Sequence, residues 1–417
     1  MRVLMLTQFY PPIIGGIERH VTSLSRSLVA RGHDVSVATT WHAGMTERET
    51  ENGVRVHRIK GSLQRLAPGA RRSFSPSFPD PEFTLALKRI VDEEKPDIVH
   101  AHNWLVYSFL PIKAYSKAKL VLTIHDHGLL CPNQKLIYQN AHCSGPSLSK
   151  CFSCTREHYG AKGPLVALTN AAMQVPLRNA VDMFVPVSQR TGEDNQIMGG
   201  EFPVTVIPNF VPDDVGNVRS EPHPKTADLP KGDFMLYVGA FGHYKGVDAL
   251  LDAYKKMNTD IPLVIIGYKT AESPLQTQEF PPNVVVLYDW PYEAVMQAWQ
   301  RCLFGIVPSI WSDPCPTTAI EGMAVGKAIV ATRMGGLIDI VADGSTGLLV
   351  EPNDTAALAA AMHKLIADPA MRARMGELGK RKVREFQSGH VVNRIEALYD
   401  QLRLRATRVI PIKDVQQ

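Results

Sequence analysis

No apolar run in the 417 residues approaches the ~18 that a membrane-spanning helix needs. The opening, MRVLMLTQFYPP, is too short for a signal peptide and carries no small-residue cleavage site; it reads as a first strand. The expectation is therefore a cytoplasmic protein, with any membrane contact peripheral and on the inner face. Neither sign of charge dominates. The 45 Lys+Arg and 41 Asp+Glu leave a formal net charge of +4, so composition gives no reason to expect a nucleic-acid partner. Low-complexity tracts and short-period repeats are absent, which removes solenoids and arrays. Cysteine is scarce, with six in all, and in the cytoplasm these are expected as thiols or metal ligands rather than disulfides.

What is present is ordinary globular material: 45% apolar and 21% charged residues, in a chain long enough for two or three domains. Residues 1–210 hold 23 Lys+Arg against 17 Asp+Glu, and the remainder 22 against 24. So mild an asymmetry suits either an acidic ligand on the first half or simply solvated faces.

The pattern alternates strand and helix. An apolar strand over 3–9 runs into YPPIIGGIERH, where Gly15-Gly16 open a helix with Ile17, Val21, Leu24 and Leu28 at helical spacing; a second strand spans 34–40. This is a βαβ unit and predicts a parallel, right-handed sheet. A Gly pair at such a turn either lets backbone N–H groups approach a phosphate or merely caps the helix. Further strands are expected over 97–101, 119–124, 182–188 and 204–208, with helices over 82–94 and 163–180. The strand 119–124 ends in His125-Asp126-His127-Gly128, at the carboxyl edge where open parallel sheets bind ligands. His125 there is either a site residue or the cap of its own turn. A Pro- and Asp-dense linker near 210–230 precedes a second unit that repeats the strand-turn-helix opening, with a helix from Lys245.

Two other stretches stand out. Residues 61–81 combine Arg65, Arg71 and Arg72 with Phe74 and Phe78, as an ordinary surface loop or an acceptor or membrane-surface contact would. Cys131, Cys143, Cys151 and Cys154 follow C-x11-C-x7-C-x2-C within 24 residues. Four thiolates so spaced can close a structural zinc site, stay as free or redox-labile thiols, or pair as a disulfide.

The densest chemistry lies in VPSIWSDPCPTTAIEGMAVGKAIVAT, residues 307–332. It reads as buried strand, turn, short helix and second buried strand. Pro314 and Pro316 fit a helix start, and the N–H groups of Thr317, Thr318 and Ala319 would face outward as an anion site. Asp313 and Glu321 flank this cradle with seven residues between them.

Taken together, PPIIGGIERH, TIHDHGLLCP, IPNF, YVGAFGHYKGVDALLDAY and the run from Pro308 to Asp354 resemble the retaining glycosyltransferases of family 4 over nearly the whole chain. The resemblance implies an α/β GT-B fold of two facing Rossmann-like domains around a cleft. The expected division is an N-terminal acceptor-side domain, 1–209, a nucleotide-sugar-binding domain, 210–390, and a last helix and tail, 391–417, crossing back to the first domain. It also implies roles. Gly15 and Gly16 lie against the donor diphosphate, and His125 lies by the transferred sugar. Lys245 neutralises the diphosphate, and the N–H groups of Thr317 and Thr318 hold phosphate. Asp313 takes the sugar hydroxyls and Glu321 the ribose, while the base lies near Tyr288-Asp289-Trp290. The implied partners are a UDP- or GDP-sugar and a glycan or lipid-linked acceptor. No cofactor is required for catalysis, because the charge of the leaving diphosphate falls on Lys245 and a helix N-terminus. The chain also offers no Asp-x-Asp-like pair where a metal would need one.

Two positions depart from the family pattern. Ala240 stands where an Arg is usual, leaving His243, Lys269 or Arg333 as substitutes, and Asp313 replaces a Glu. Fold alone does not fix function, so a GT-B-like sugar-nucleotide epimerase or hydrolase, or a partner subunit weak in turnover, stands beside the transferase reading.

Overall fold

The computed structural model describes residues 1–407 apart from 14, 63–75, 140, 220, 269–279 and 282. The first unit is built on β1 (Arg2–Leu6), β2 (Asp34–Thr40), β3 (Arg48–Glu51), β4 (Val54–Ile59), β5 (Ile98–Ala101) and β6 (Lys119–Ile124). A small hairpin, β7 (Ile137–Tyr138) and β8 (Ala141–His142), precedes β9 (Met183–Pro186). Seven of these make one sheet in the order β3-β4-β2-β1-β5-β6-β9. It is parallel except for β3, which runs antiparallel to β4. In register, Arg2 stands beside Asp34 and Val3 beside Ile98. The second unit is an all-parallel sheet of β10 (Met235–Val238), β11 (Leu263–Gly267), β12 (Val284–Tyr288), β13 (Gly305–Val307), β14 (Ile329–Thr332) and β15 (Gly347–Val350), ordered β12-β11-β10-β13-β14-β15.

Apolar side chains cover both faces of each sheet, as parallel sheets require. On the first, the helix Gly16–Ala30 buries Val21, Leu24 and Leu28 against Val3, Met5 and Val35, while Phe83, Leu87, Phe109 and Leu177 close the other face. The last helix, Ser388–Thr407, leaves the second unit and lays Val391, Ile395, Leu398 and Tyr399 on the first unit's core. His33 Nε2 to Glu396 Oε1 (2.6 Å) and His100 Nδ1 to the Tyr399 hydroxyl (2.6 Å) fasten it there.

Several local expectations change. The hairpin β3–β4 carries no clean apolar alternation in β3, all of whose residues are exposed or half-buried, and periodicity passed over it. The strand expected over 204–208 is only a bridge between Val204 and Phe184. Lys245 lies in a 3-10 turn, His243–Lys245, and the helix begins at Val247. The reason is Gly246, whose φ is +75°; a Cβ there would stand 1.8 Å from the Pro308 carbonyl oxygen. That close approach locks the Lys245 turn against the end of β13. Arg65, Arg71, Arg72 and Phe74, Lys269 and the tail VIPIKDVQQ lie outside the described residues; Phe78 is exposed.

Candidate active site

The two sheets meet along the carboxyl ends of their strands, and the expected site residues sit there. The loop after β6 sends its side chains in three directions. His125 turns inward to a stack of imidazoles: its Nε2 is 3.1 Å from His102 Nδ1, and its ring centroid is 4.9 Å from that of His20. Asp126 caps its own turn through the Gly128 N–H at 2.7 Å. His127 crosses the cleft, with Nε2 2.8 Å from the Ser312 carbonyl oxygen. Asp194 holds the Ser312 hydroxyl from the same side, and Arg190 holds Asp194 at 2.9 Å. The turn carrying Asp313 is thus pinned by the first domain. Burial pushes the histidines of the stack down, His20 to about 4 and His100 to about 3, with His102 and His125 also well below their ordinary value. All four are neutral at pH 7. His125 is therefore a neutral hydrogen-bonding ring rather than a positive charge.

On the facing side, Lys245 Nζ bonds Asp313 Oδ2, and Ser309 Oγ reaches the same oxygen at 3.5 Å. The ammonium is also 5.2 Å from the Trp311 ring centroid. Asp313 is buried and Lys245 only partly so. This is an ion pair whose cationic partner is the more exposed of the two. Immediately beyond, the helix Thr317–Ala324 starts after Pro316. Its first two residues, Thr317 and Thr318, are half-buried and have no helical acceptor for their N–H groups. The Ala319 N–H, expected to be free, bonds the Pro316 carbonyl at 3.2 Å. The cradle therefore offers two N–H groups rather than three.

Glu321, in the second turn of that helix, is buried, and burial raises its carboxyl to about 7 against the opposing pull of Arg19 and of a hydrogen bond with Tyr292. Arg19 comes from the first domain, three residues past Gly16, with its guanidinium 5.6 Å from the Tyr292 ring centroid. Gly16 itself is open: a Cβ there would meet nothing within 4 Å. No contact among the described residues requires glycine at that position. At Gly15, the helix cap, a Cβ would come 2.2 Å from Glu18 Oε2.

Comparison with known proteins shows the family and the fold. The family described as Glycosyltransferase Family 4 matches residues 14–215, and Glycosyl transferases group 1 matches residues 219–382. The O-antigen chain mannosyltransferase C of Escherichia coli is 31% identical, over 96% of this chain and 99% of that protein. The chain is a family 4 glycosyltransferase. Among solved structures, sucrose-phosphate synthase from Thermosynechococcus elongatus aligns with a TM-score of 0.74 at 19% identity, covering 97% of this chain and all of that one. HepE of Anabaena in complex with UDP-glucose aligns at 0.67 and 16% identity, covering 96% and 100%. These fix the architecture as GT-B.

Within this glycosyltransferase, two of the three substitutes expected for the gap at Ala240 are already paired, and Lys269 lies outside the described residues. His243 is bonded to Asp248 at 2.7 Å, and Arg333 is paired with Asp343 at 2.6 Å and Glu351 at 3.3 Å. A further cation that the sequence reading passed over stands beside the Lys245 turn: Lys135, from the cysteine-bearing insertion, places Nζ 5.1 Å from the centroid of Tyr244, the neighbour of Lys245. Arg19, Tyr292, His20 and His102 were missed as well. Arg19 and His20 lie in the GGIERH motif itself, so reading that motif one helical turn further would have found them. Trp290 is half-buried and packs on the core of the second domain. No helix among the described residues is long and apolar enough to cross a membrane.

Proposed function

We infer that this glycosyltransferase moves a sugar, with retention of configuration, from a UDP- or GDP-sugar to a glycan or lipid-linked acceptor in the assembly of cell-surface polysaccharide or glycolipid. The observation that carries the reading is the Lys245–Asp313 pair lying beside the open N–H groups of Thr317 and Thr318. A diphosphate gains charge as the sugar leaves. Lys245 and the helix N-terminus are fixed where that charge grows, so they stabilise the transition state without reorganising. They are the protein's own cations and dipoles, and the step routes through no divalent ion. Asp313 and neutral His125 hold sugar hydroxyls, Glu321 takes the ribose, and the first domain presents the acceptor from the face the nucleotide leaves. Trp290 stands beside the base through its backbone, and Gly15 and Gly16 leave room for phosphate. Relatives support the donor class: one is a mannosyltransferase and another was solved with UDP-glucose.

Incubation with UDP- and GDP-sugars and a glycan or lipid-linked acceptor pool tests this. One donor is expected to give an elongated product of retained anomeric configuration, at a rate unchanged when Mg2+ and Mn2+ are omitted. Epimerised or free sugar alone would make the protein an epimerase or hydrolase, and no turnover at all would make it a partner subunit.

Arg19 provides a separate check. Replacing it with Met removes the positive field that opposes the rise in the Glu321 carboxyl. Nucleotide affinity at pH 7 is then expected to fall by roughly 3- to 10-fold and to recover by pH 8.5, as followed by calorimetric titration. A loss independent of pH would detach Arg19 from Glu321.

A further inference from the structure

We propose that the insertion 131–154 binds one zinc ion through the thiolates of Cys131, Cys143, Cys151 and Cys154, and that this ion, in place of a hydrophobic core, holds the insertion against the active-site loop. The four cysteines arrive on three separate pieces of chain. Cys131 follows the loop of His125-Asp126-His127, and Cys143 directly follows the hairpin β7–β8. Cys151 and Cys154 lie three residues apart on the helix Leu148–Tyr159, hence on one face. All four line a single cavity of about 10 Å³, the space of one small occupant. Asn133 already joins two of the sulfurs, accepting from Cys131 Sγ at 2.9 Å and donating to Cys154 Sγ at 3.0 Å. The amide N–H can orient the Cys154 thiolate from outside the coordination shell, while the bond accepted from Cys131 is given up with the Cys131 proton.

Among the described residues the insertion has little apolar burial beyond Cys131, Pro132 and Leu136. Its helix of 12 residues buries only Thr155, and β7 and β8 are two residues each and not buried. So little apolar burial does not hold a small segment in place, and a metal staple does. Its placement nevertheless matters, because it presents Lys135 to Tyr244 across the cleft. On binding, four S–H bonds break, four Zn–S bonds form and four protons leave to solvent, giving a site of charge −2. Lys150 lines the same cavity, with its ammonium bonded to the Ser144 hydroxyl at 3.1 Å. No three sulfurs lie within 4.8 Å of one another among the described residues. Closure to the separation of about 3.8 Å in a tetrahedral Zn–S4 centre, with Zn–S near 2.3 Å, therefore takes rotation of the side chains around the cavity. The rival cluster is His20, His102 and His125, whose ligand atoms do lie within 4.8 Å of one another. It contains no anionic ligand, and its His102–His125 hydrogen bond already uses two of the nitrogens.

The full chain, purified without chelator, is expected to carry about one zinc per molecule by elemental analysis. The Cys151→Ser/Cys154→Ser variant should lose it at least about tenfold, and His102→Gln should keep it. Because the cysteine variant can fail to fold, the wild-type protein gives a second readout. Stripped of metal and titrated with Co2+, it should develop thiolate-to-cobalt charge-transfer absorption that saturates at one equivalent. Zinc that survives loss of the cysteines, zinc lost with His102→Gln, a Cys–Cys disulfide in the purified protein, or cobalt binding without thiolate absorption would each overturn the proposal.

Discussion

Lys245→Met is expected to lower the rate of sugar transfer by roughly 10²- to 10³-fold, the usual consequence of removing one preorganised stabiliser of a leaving charge. The same substitution strips buried Asp313 of its cation, leaving Ser309 at 3.5 Å as its remaining side-chain partner. An uncompensated buried carboxylate costs about 3–5 kcal/mol, so Lys245→Met alone should also lower the melting temperature. The double variant Lys245→Met/Asp313→Asn removes the stranded charge. It should recover most of the stability and none of the activity. That divergence separates the catalytic role of Lys245 from its role as a structural counter-ion, and a thermal melt beside a transfer assay reads both. Equal loss of stability in the single and double variants would mean that the pair is not coupled as described.

Glu321→Gln should act in the opposite direction on stability. The carboxyl titrates near 7 in the folded protein, chiefly because it is buried, against 4.5 for an ordinary glutamate. Below about pH 4.5 both the folded and the unfolded chain carry the proton, and there is no penalty. Between 4.5 and 7 the unfolded chain ionises first, so stability falls as pH rises, and above 7 the loss is complete. At 1.36 kcal/mol per pH unit, the full penalty is about 3 kcal/mol at most. The neutral isostere is free of it. Donor-free Glu321→Gln is therefore expected to melt higher than the wild type at pH 8 and at the same temperature at pH 4.5, while binding nucleotide more weakly. On the proposed reading ribose hydroxyls donate to the ionised carboxylate, so wild-type affinity should rise between pH 6 and pH 8 with release of a proton, and the variant should show no such rise. Chemical unfolding at the two pH values, with calorimetry in two buffers, checks both halves. A variant that is less stable at pH 8 would contradict the assignment of a buried acid held ready for ligand.

Much of this site was legible because its parts sit at the ends of periodic strands. The apolar runs of β1, β6, β10 and β13 place Gly15-Gly16, His125, the Lys245 turn and Asp313 at one edge of two sheets, and parallel topology alone makes that edge the binding edge. Contacts between residues far apart in sequence were not legible. Arg19 reaches Tyr292, His127 reaches Ser312 and Lys135 reaches Tyr244 across the cleft, and no local pattern encodes which of several polar side chains makes such a crossing. The HDHG motif illustrates the limit. Its position was readable, but only the fold shows that His125 joins an imidazole stack, Asp126 caps the turn and His127 clasps the other domain. The helix bearing Cys151 and Cys154 escaped notice for a related reason: it buries too little for hydrophobic periodicity to register.

The most direct test of the cradle is calorimetric titration of UDP- and GDP-sugars, and of the matching diphosphates without sugar, into the wild type, Lys245→Met/Asp313→Asn and Asp313→Asn. The expected result is that one nucleotide family binds the wild type. Relative to Asp313→Asn, the double variant should bind the sugar-bearing and sugar-free forms alike about 10- to 100-fold more weakly, as loss of a charge-assisted bond does. Asp313→Asn should weaken only the sugar-bearing form. Binding of the nucleotide sugar that is untouched by the Lys245 substitution, or no binding of any nucleotide sugar to the wild type, would contradict the account.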